Sequence, residues 1–236
     1  MRPIAFDIDG VLANFIRSFT RIGTRLFGTP ASDTPAQDNW VFENMPSLGL
    51  TKEQVGHPIR GGGMWGEVIK SPYFWANLDP INVSIMFTID RIKNKMFITN
   101  RFGIDCKEQT IAFLERWGII EPDVVVSGDK GPIAKERNIS ALIDDYYQNC
   151  ADIQTAVPDA YVSMLIVPYN RIWRPGALAT PGKTWFGPIA LSVEHFVQEC
   201  DKRRLIEWTD KGSFNVGSEA SIKSEIKLEL EDLTTP

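Results

Sequence analysis

Cysteine is scarce in this chain of 236 residues, and the three present, Cys106, Cys150 and Cys200, lie far apart. No pair has metal-ligand spacing and the number is odd, which excludes a disulfide framework or a cysteine zinc site as the basis of the fold. Free thiols in a reducing cytoplasm are the expected state. A basic surplus is missing as well: 25 Lys and Arg stand against 30 Asp and Glu, a formal net charge of -5. That argues against an extended nucleic-acid footprint, which needs excess positive charge, but leaves room for a local basic pocket around a small anion. No apolar run approaches the length needed to span a bilayer. The first residues, Met1-Arg2-Pro3, run straight into a strand-like segment with Asp7 and Asp9 where a leader peptide needs apolar residues, so neither a leader nor a membrane association is expected. No internal repeat is visible.

What the chain does contain is a full complement of core-forming residues, 43% hydrophobic and 11% aromatic, enough for a sizeable core. Short apolar runs ending in polar residues recur along it. Ile4-Ala5-Phe6 ends in Asp7, Met96-Phe97-Ile98 in Thr99-Asn100, and Val124-Val125-Val126 in Ser127-Gly128-Asp129. Ala141-Leu142-Ile143 ends in Asp144-Asp145, and Met164-Leu165-Ile166-Val167 in Pro168. Runs of this kind suit buried parallel strands. Lys107 to Trp117 reads as a helix with Ile111, Phe113, Leu114 and Trp117 on its apolar side, and with Asp105 and Glu108 spaced as a capping box. Strands alternating with helices predict an α/β fold with an open parallel sheet, whose ligands bind at the carboxyl ends of the strands.

The region from about Phe15 to Asp79 breaks the alternation. It is long and rich in aromatics and turn residues, and reads as an inserted, mainly helical cap. The expected division is a core of 1–14 and 80–208, a cap of 15–79 and a polar tail of 209–236.

The acidic residues carry the chemical signal. In an extended Asp7-Ile8-Asp9 segment the two carboxylates project to one side, and they repel unless a cation or a shared proton relieves them. Alone, such a pair also fits a helix cap or a turn. Asp144-Asp145 follows a second buried-strand run, and adjacent strands would gather three or four carboxylates at one sheet edge. A hard divalent cation with oxygen ligands stabilises that arrangement, and magnesium suits it. Thr99-Asn100 supplies donors for phosphate oxygens, and Lys130 a charge to offset carboxylates and phosphoryl group alike. Taken singly, Thr99 is equally a strand-end hydrogen bonder and Lys130 a surface lysine.

In order, Asp-x-Asp-Gly-Val, apolar-Thr-Asn, Lys and apolar-Asp-Asp resemble the motif series of the haloacid dehalogenase superfamily, from Ile4 to at least Val167. The resemblance implies a three-layer α/β/α sandwich with a Rossmann-like parallel sheet and a mobile cap. The second aspartate, Asp9, marks the phosphatase branch rather than dehalogenation. By the same resemblance Asp7 is the nucleophile and Asp9 the general acid and base. Mg2+ is held by Asp7, the Asp9 carbonyl and Asp144, with Asp145 a further or water-mediated ligand. Thr99, Asn100 and Lys130 bind the transferring phosphoryl group. That mechanism needs no histidine, so His57 and His195 are expected to be structural.

The segment Tyr73 to Ile81, the run Val167-Pro168-Tyr169-Asn170, and Val11, Ala13 and Phe15 resemble the 5'(3')-deoxyribonucleotidases of bacterial and phage type. The implied partner is a small phosphomonoester, a nucleoside monophosphate, with Phe15, Phe42, Trp65 and Phe74 expected to face the base. Aromatics in a small cap are also its natural core. The other readings are a phosphatase for sugar phosphates or nucleic-acid 3'-ends and a catalytically idle binding module. Retention of both Asp7 and Asp9 speaks against the last.

Overall fold

A computed structural model describes residues 1–31, 48–167 and 187–209. Its centre is a six-stranded sheet in the order β3-β2-β1-β4-β5-β6, parallel throughout. The strands are β1 (Ile4–Phe6), β2 (Lys95–Thr99), β3 (Val124–Val126), β4 (Ala141–Asp144), β5 (Tyr161–Leu165) and β6 (Ile189–Ala190). Between β1 and β2 the chain makes a long excursion carrying α1 (Phe15–Phe27), α2 (Lys52–Val55) and α3 (Gly63–Lys70), then returns through α4 (Val83–Asp90). The remaining helices are α5 (Cys106–Arg116), α6 (Lys130–Glu136), α7 (Tyr147–Ala156) and α8 (Val193–Lys202). Among the described residues, no helix is long and apolar enough to cross a membrane.

Period-2 alternation in the central strands sorts their side chains onto two apolar layers. Ile4, Phe6, Phe97 and Ile143 pack with Ile85 and Ile89 of α4, Phe113 and Leu114 of α5, and Phe196 of α8. Ala5, Met96, Ile98 and Leu142 face the other way, against Ala134 of α6 and Cys150 and Ile153 of α7. Helices on both faces of a parallel sheet make an α/β/α sandwich: the parallel sheet is the one the apolar runs predicted, and the three layers are those the family resemblance implied. The first layer continues without a break into the excursion, where Phe15, Phe19, Met64, Trp65 and Val68 are buried in the same cluster. Phe19 lies 4.8 Å from Trp65 between ring centroids.

Two glycines permit close backbone approaches, one within the excursion and one between it and the loop after β2. A side chain on Gly63 would meet the Gln54 carbonyl oxygen at 2.1 Å, so only glycine lets α3 start against the end of α2. Gly103, at φ 107°, lets the loop after β2 approach α3, where the Ile104 amide donates to the Ile69 carbonyl at 3.1 Å. That loop also changes the start of α5. Asp105 is its cap residue but sits at φ 46° and its side chain caps nothing, so the expected capping box does not form. Phe42, Pro168-Tyr169-Asn170 and the tail beyond Thr209 lie outside the described residues.

Candidate active site

β1 is flanked by β2 and β4, with Phe6 in register with Phe97 on one side and Ile143 on the other. Because all three run parallel, their polar carboxyl ends converge on one edge. The pairing continues one residue further, the Asp7 amide donating to the Ile143 carbonyl at 3.0 Å. The chain then turns at Gly10, φ 85°, with the amides of Val11, Leu12 and Ala13 all donating to the Ile8 carbonyl. Ile8 is fully buried in the core while Asp7 and Asp9 line a cleft of about 450 Å³.

Lys130, the first residue of α6, is 3% exposed and joins two of the carboxylates. Its Nζ lies 2.7 Å from Asp7 Oδ1 and 2.6 Å from Asp144 Oδ2. Asp144 accepts further hydrogen bonds from the Tyr146 amide at 2.8 Å and from Asn149 Nδ2 at 3.2 and 3.0 Å. Asp145 is buried beside it, and Asp7, Asp144 and Asp145 each offer a carboxylate oxygen, all within 4.8 Å of one another. Among the described residues, three carboxylates and one ammonium meet here in a buried place. Burial accordingly pushes the Asp7 carboxyl up to about 7, with Lys130 opposing the rise and Asp144 adding to it. Burial alone would lower the Lys130 ammonium, but Asp144 and Asp7 raise it above its ordinary value, so it is held charged. An all-oxygen, anionic donor set of this kind fits a hard divalent cation.

The other candidates take separate positions. Asp9 turns away from this trio, and its carboxylate is gripped by Arg101 through Nε at 2.8 Å and NH2 at 2.7 Å, with Thr99 Oγ1 donating at 3.3 Å. Asn100 lines the cleft opposite Gly128, where a Cβ would stand 3.2 Å from Asn100 Oδ1, so the glycine leaves room for that amide. Phe15 and Trp65 line the cleft, stacked with centroids 5.6 Å apart. Phe74 does not line it: it packs edge-on against Phe15 and Trp75 and borders a shallow surface groove with Arg21 and Arg25. Those arginines pair with Asp79 and Glu67. His57 and His195 accept local backbone hydrogen bonds, from Ile59 and Leu191.

Arg101, Trp75, Phe102, Tyr146 and Asn149 were not singled out from the sequence, yet all five line the cleft or hold its carboxylates. Arg101 directly follows Thr99-Asn100, and that adjacency was the one available signal.

The fold is similar to that of a haloacid dehalogenase-like hydrolase from Burkholderia xenovorans, at a TM-score of 0.50 and 13% identity over 88% of this chain and 100% of that one. A β-phosphoglucomutase structure from Clostridium difficile aligns at a TM-score of 0.44 and 13% identity, over 87% of this chain and 99% of its own. No protein-family model and no curated protein matches the sequence. At this identity the first likeness concerns the fold alone, a parallel sheet covered by helices.

Proposed function

We propose that this chain is a Mg2+-dependent phosphomonoesterase of the haloacid dehalogenase superfamily, working through an aspartyl phosphate on Asp7. The observation that carries the reading is the buried Asp7–Lys130–Asp144 constellation at the edge of the parallel sheet, with Asp9 two residues from Asp7 at the same cleft. Asp7, Asp144 and Asp145 would hold the cation. When bound, the cation supplies the charge that keeps Asp7 ionised and polarises the phosphoryl oxygens.

The protein's own groups account for the rest. An Asp7 carboxylate oxygen attacks phosphorus in line, the ester bond breaks, and the leaving oxygen takes a proton from Asp9. Asp9, now a carboxylate, accepts a proton from the water that splits the acyl phosphate, which returns Asp7 and releases inorganic phosphate. Lys130 offsets the charge on Asp7 and the phosphoryl group, and Asn100 reaches the same space from the end of β2. Thr99 is committed to Asp9, so its contribution goes through that carboxylate. Most of the acceleration then comes from positioning and electrostatics.

For the substrate, we infer a nucleoside monophosphate, with a deoxyribonucleotide the leading form. The cleft, about 450 Å³, is large enough for a drug-sized ligand. Of the aromatics lining it, the half-buried Phe102 can offer its ring to a base, while Phe15, Trp65 and Trp75 are mostly buried and make an apolar wall. Sugar phosphates are the second reading, favoured by Gln148 and Asp152, polar residues that line the same cleft. The test is phosphate release from deoxy- and ribonucleoside 5'- and 3'-monophosphates and sugar phosphates, with magnesium, with EDTA and with Asp7→Asn. Magnesium-dependent release from nucleotides, lost in Asp7→Asn, is the expected result. Release from sugar phosphates alone would overturn the nucleotidase reading.

A further inference from the structure

Arg101 is 2% exposed, unusual for a guanidinium, and its contacts are directional on every side. Nε and NH2 grip both oxygens of Asp9 at 2.8 and 2.7 Å. NH1 donates to Thr110 Oγ1 at 3.0 Å, and that hydroxyl donates in turn to the Cys106 carbonyl at 2.6 Å, which fixes its acceptor lone pair towards the arginine. The guanidinium also lies 4.8 Å from the Trp75 ring centroid and 5.7 Å from that of Phe113. Trp75 is itself pinned to the core. Its indole N–H donates to the Phe102 carbonyl at 2.9 Å, and its amide donates to Gln109 Oε1 at 2.9 Å.

The consequence falls on Asp9. A carboxylate has about four acceptor positions. Two are filled by Arg101 and a third by Thr99 Oγ1 at 3.3 Å. One remains for a proton in transit, on a group whose orientation is fixed from behind.

We propose that Arg101 is a positioning residue for Asp9, fixing the carboxylate that moves the proton and tying its placement to the Trp75 wall of the cleft. The inference rests on the phosphatase reading. A planar fork is required for the bidentate grip, so lysine does not replace it.

The test uses p-nitrophenyl phosphate, whose leaving group needs little protonation, and phenyl phosphate, whose leaving group needs more. Arg101→Met is expected to lower kcat/KM, which reports the attack step and not the shared hydrolysis of the aspartyl phosphate, about 100-fold on phenyl phosphate and about tenfold or less on p-nitrophenyl phosphate, in keeping with the size of general-acid effects. KM should stay within about threefold, and Arg101→Lys should fall between Arg101→Met and wild type. Adding Arg101→Met to Asp9→Asn should cost nothing further, because both act through one group. Equal losses on the two esters, or losses that multiply in the double variant, would overturn the proposal. A wild-type protein that hydrolyses neither ester, nor any nucleoside monophosphate or sugar phosphate, would refute the phosphatase reading instead. In that case a crystal structure of Arg101→Met still decides the positioning: the Asp9 carboxylate should leave its place beside Thr99 Oγ1, and an unmoved carboxylate refutes the role.

Discussion

Replacing Lys130 by methionine removes a charge that bridges Asp7 and Asp144 while keeping the volume of the side chain. Both contacts are short, 2.7 and 2.6 Å, and the lysine is 3% exposed. At an effective dielectric of about 20, each contact corresponds to about 6 kcal/mol. Desolvation of the three ions opposes that gain, and breaking a buried pair from one side typically costs about 3–5 kcal/mol. Urea unfolding in EDTA at pH 8, followed by tryptophan fluorescence, should show a loss of that size. At pH 5 the loss should shrink to about 2 kcal/mol, because Asp7, with its carboxyl up at about 7, is neutral in the folded protein there. Magnesium should restore part of the stability at pH 8 by taking the place of the missing charge. A variant within about 1 kcal/mol of wild type in EDTA at pH 8 would show that Lys130 does not hold the carboxylates together.

Other outcomes follow from the same geometry. Asp7 is raised from 3.8 to about 7, so the folded metal-free protein keeps a proton that the unfolded chain has released. Its contribution to stability is therefore present below about pH 4 and lost as pH rises to about 7, a fall of about 4 kcal/mol across the window, read by denaturant titration in EDTA. Calorimetry in buffers of different ionisation enthalpy should accordingly show a proton released on magnesium binding at pH 6 and little release at pH 8.5; equal release at both would contradict the assignment. Phe102→Ala should raise KM for a nucleotide about tenfold while leaving p-nitrophenyl phosphate unaffected, and parallel changes in both would remove Phe102 from base recognition. Gly103→Ala places a Cβ 2.6 Å from the Ile69 carbonyl oxygen at φ 107° and should destabilise the protein by about 2 kcal/mol or more, measured by thermal unfolding.

The sheet was legible because parallel strands buried on both faces read as plain apolar runs. β1 and β3 have the expected bounds, while β2 and β4 take in the polar residues at their ends, Thr99 and Asp144. β5 runs from Tyr161 to Leu165 rather than from Met164 to Val167, its start hidden because the buried Ser163 interrupts the apolar run. The two-residue β6 carries too little pattern to be seen. The carboxylates could be placed because each sits at a strand end, and strand ends of a parallel sheet share an edge. Arg101 could not, because its partner Asp9 is 92 residues away and nothing local distinguishes a buried arginine from an exposed one. Nor could the separate directions of Phe15 and Phe74, which depend on how α1 meets the chain around Trp75.

A covalent phosphoryl group on Asp7 is the direct signature of the proposed chemistry. Wild-type protein mixed with magnesium and a turned-over phosphomonoester, quenched in acid within milliseconds and digested, should yield the peptide containing Asp7 heavier by one phosphoryl group. Reductive trapping should then mark Asp7 itself, and Asp7→Asn should show neither signal. Turnover without any adduct, or an adduct on another residue, would contradict Asp7 as the nucleophile.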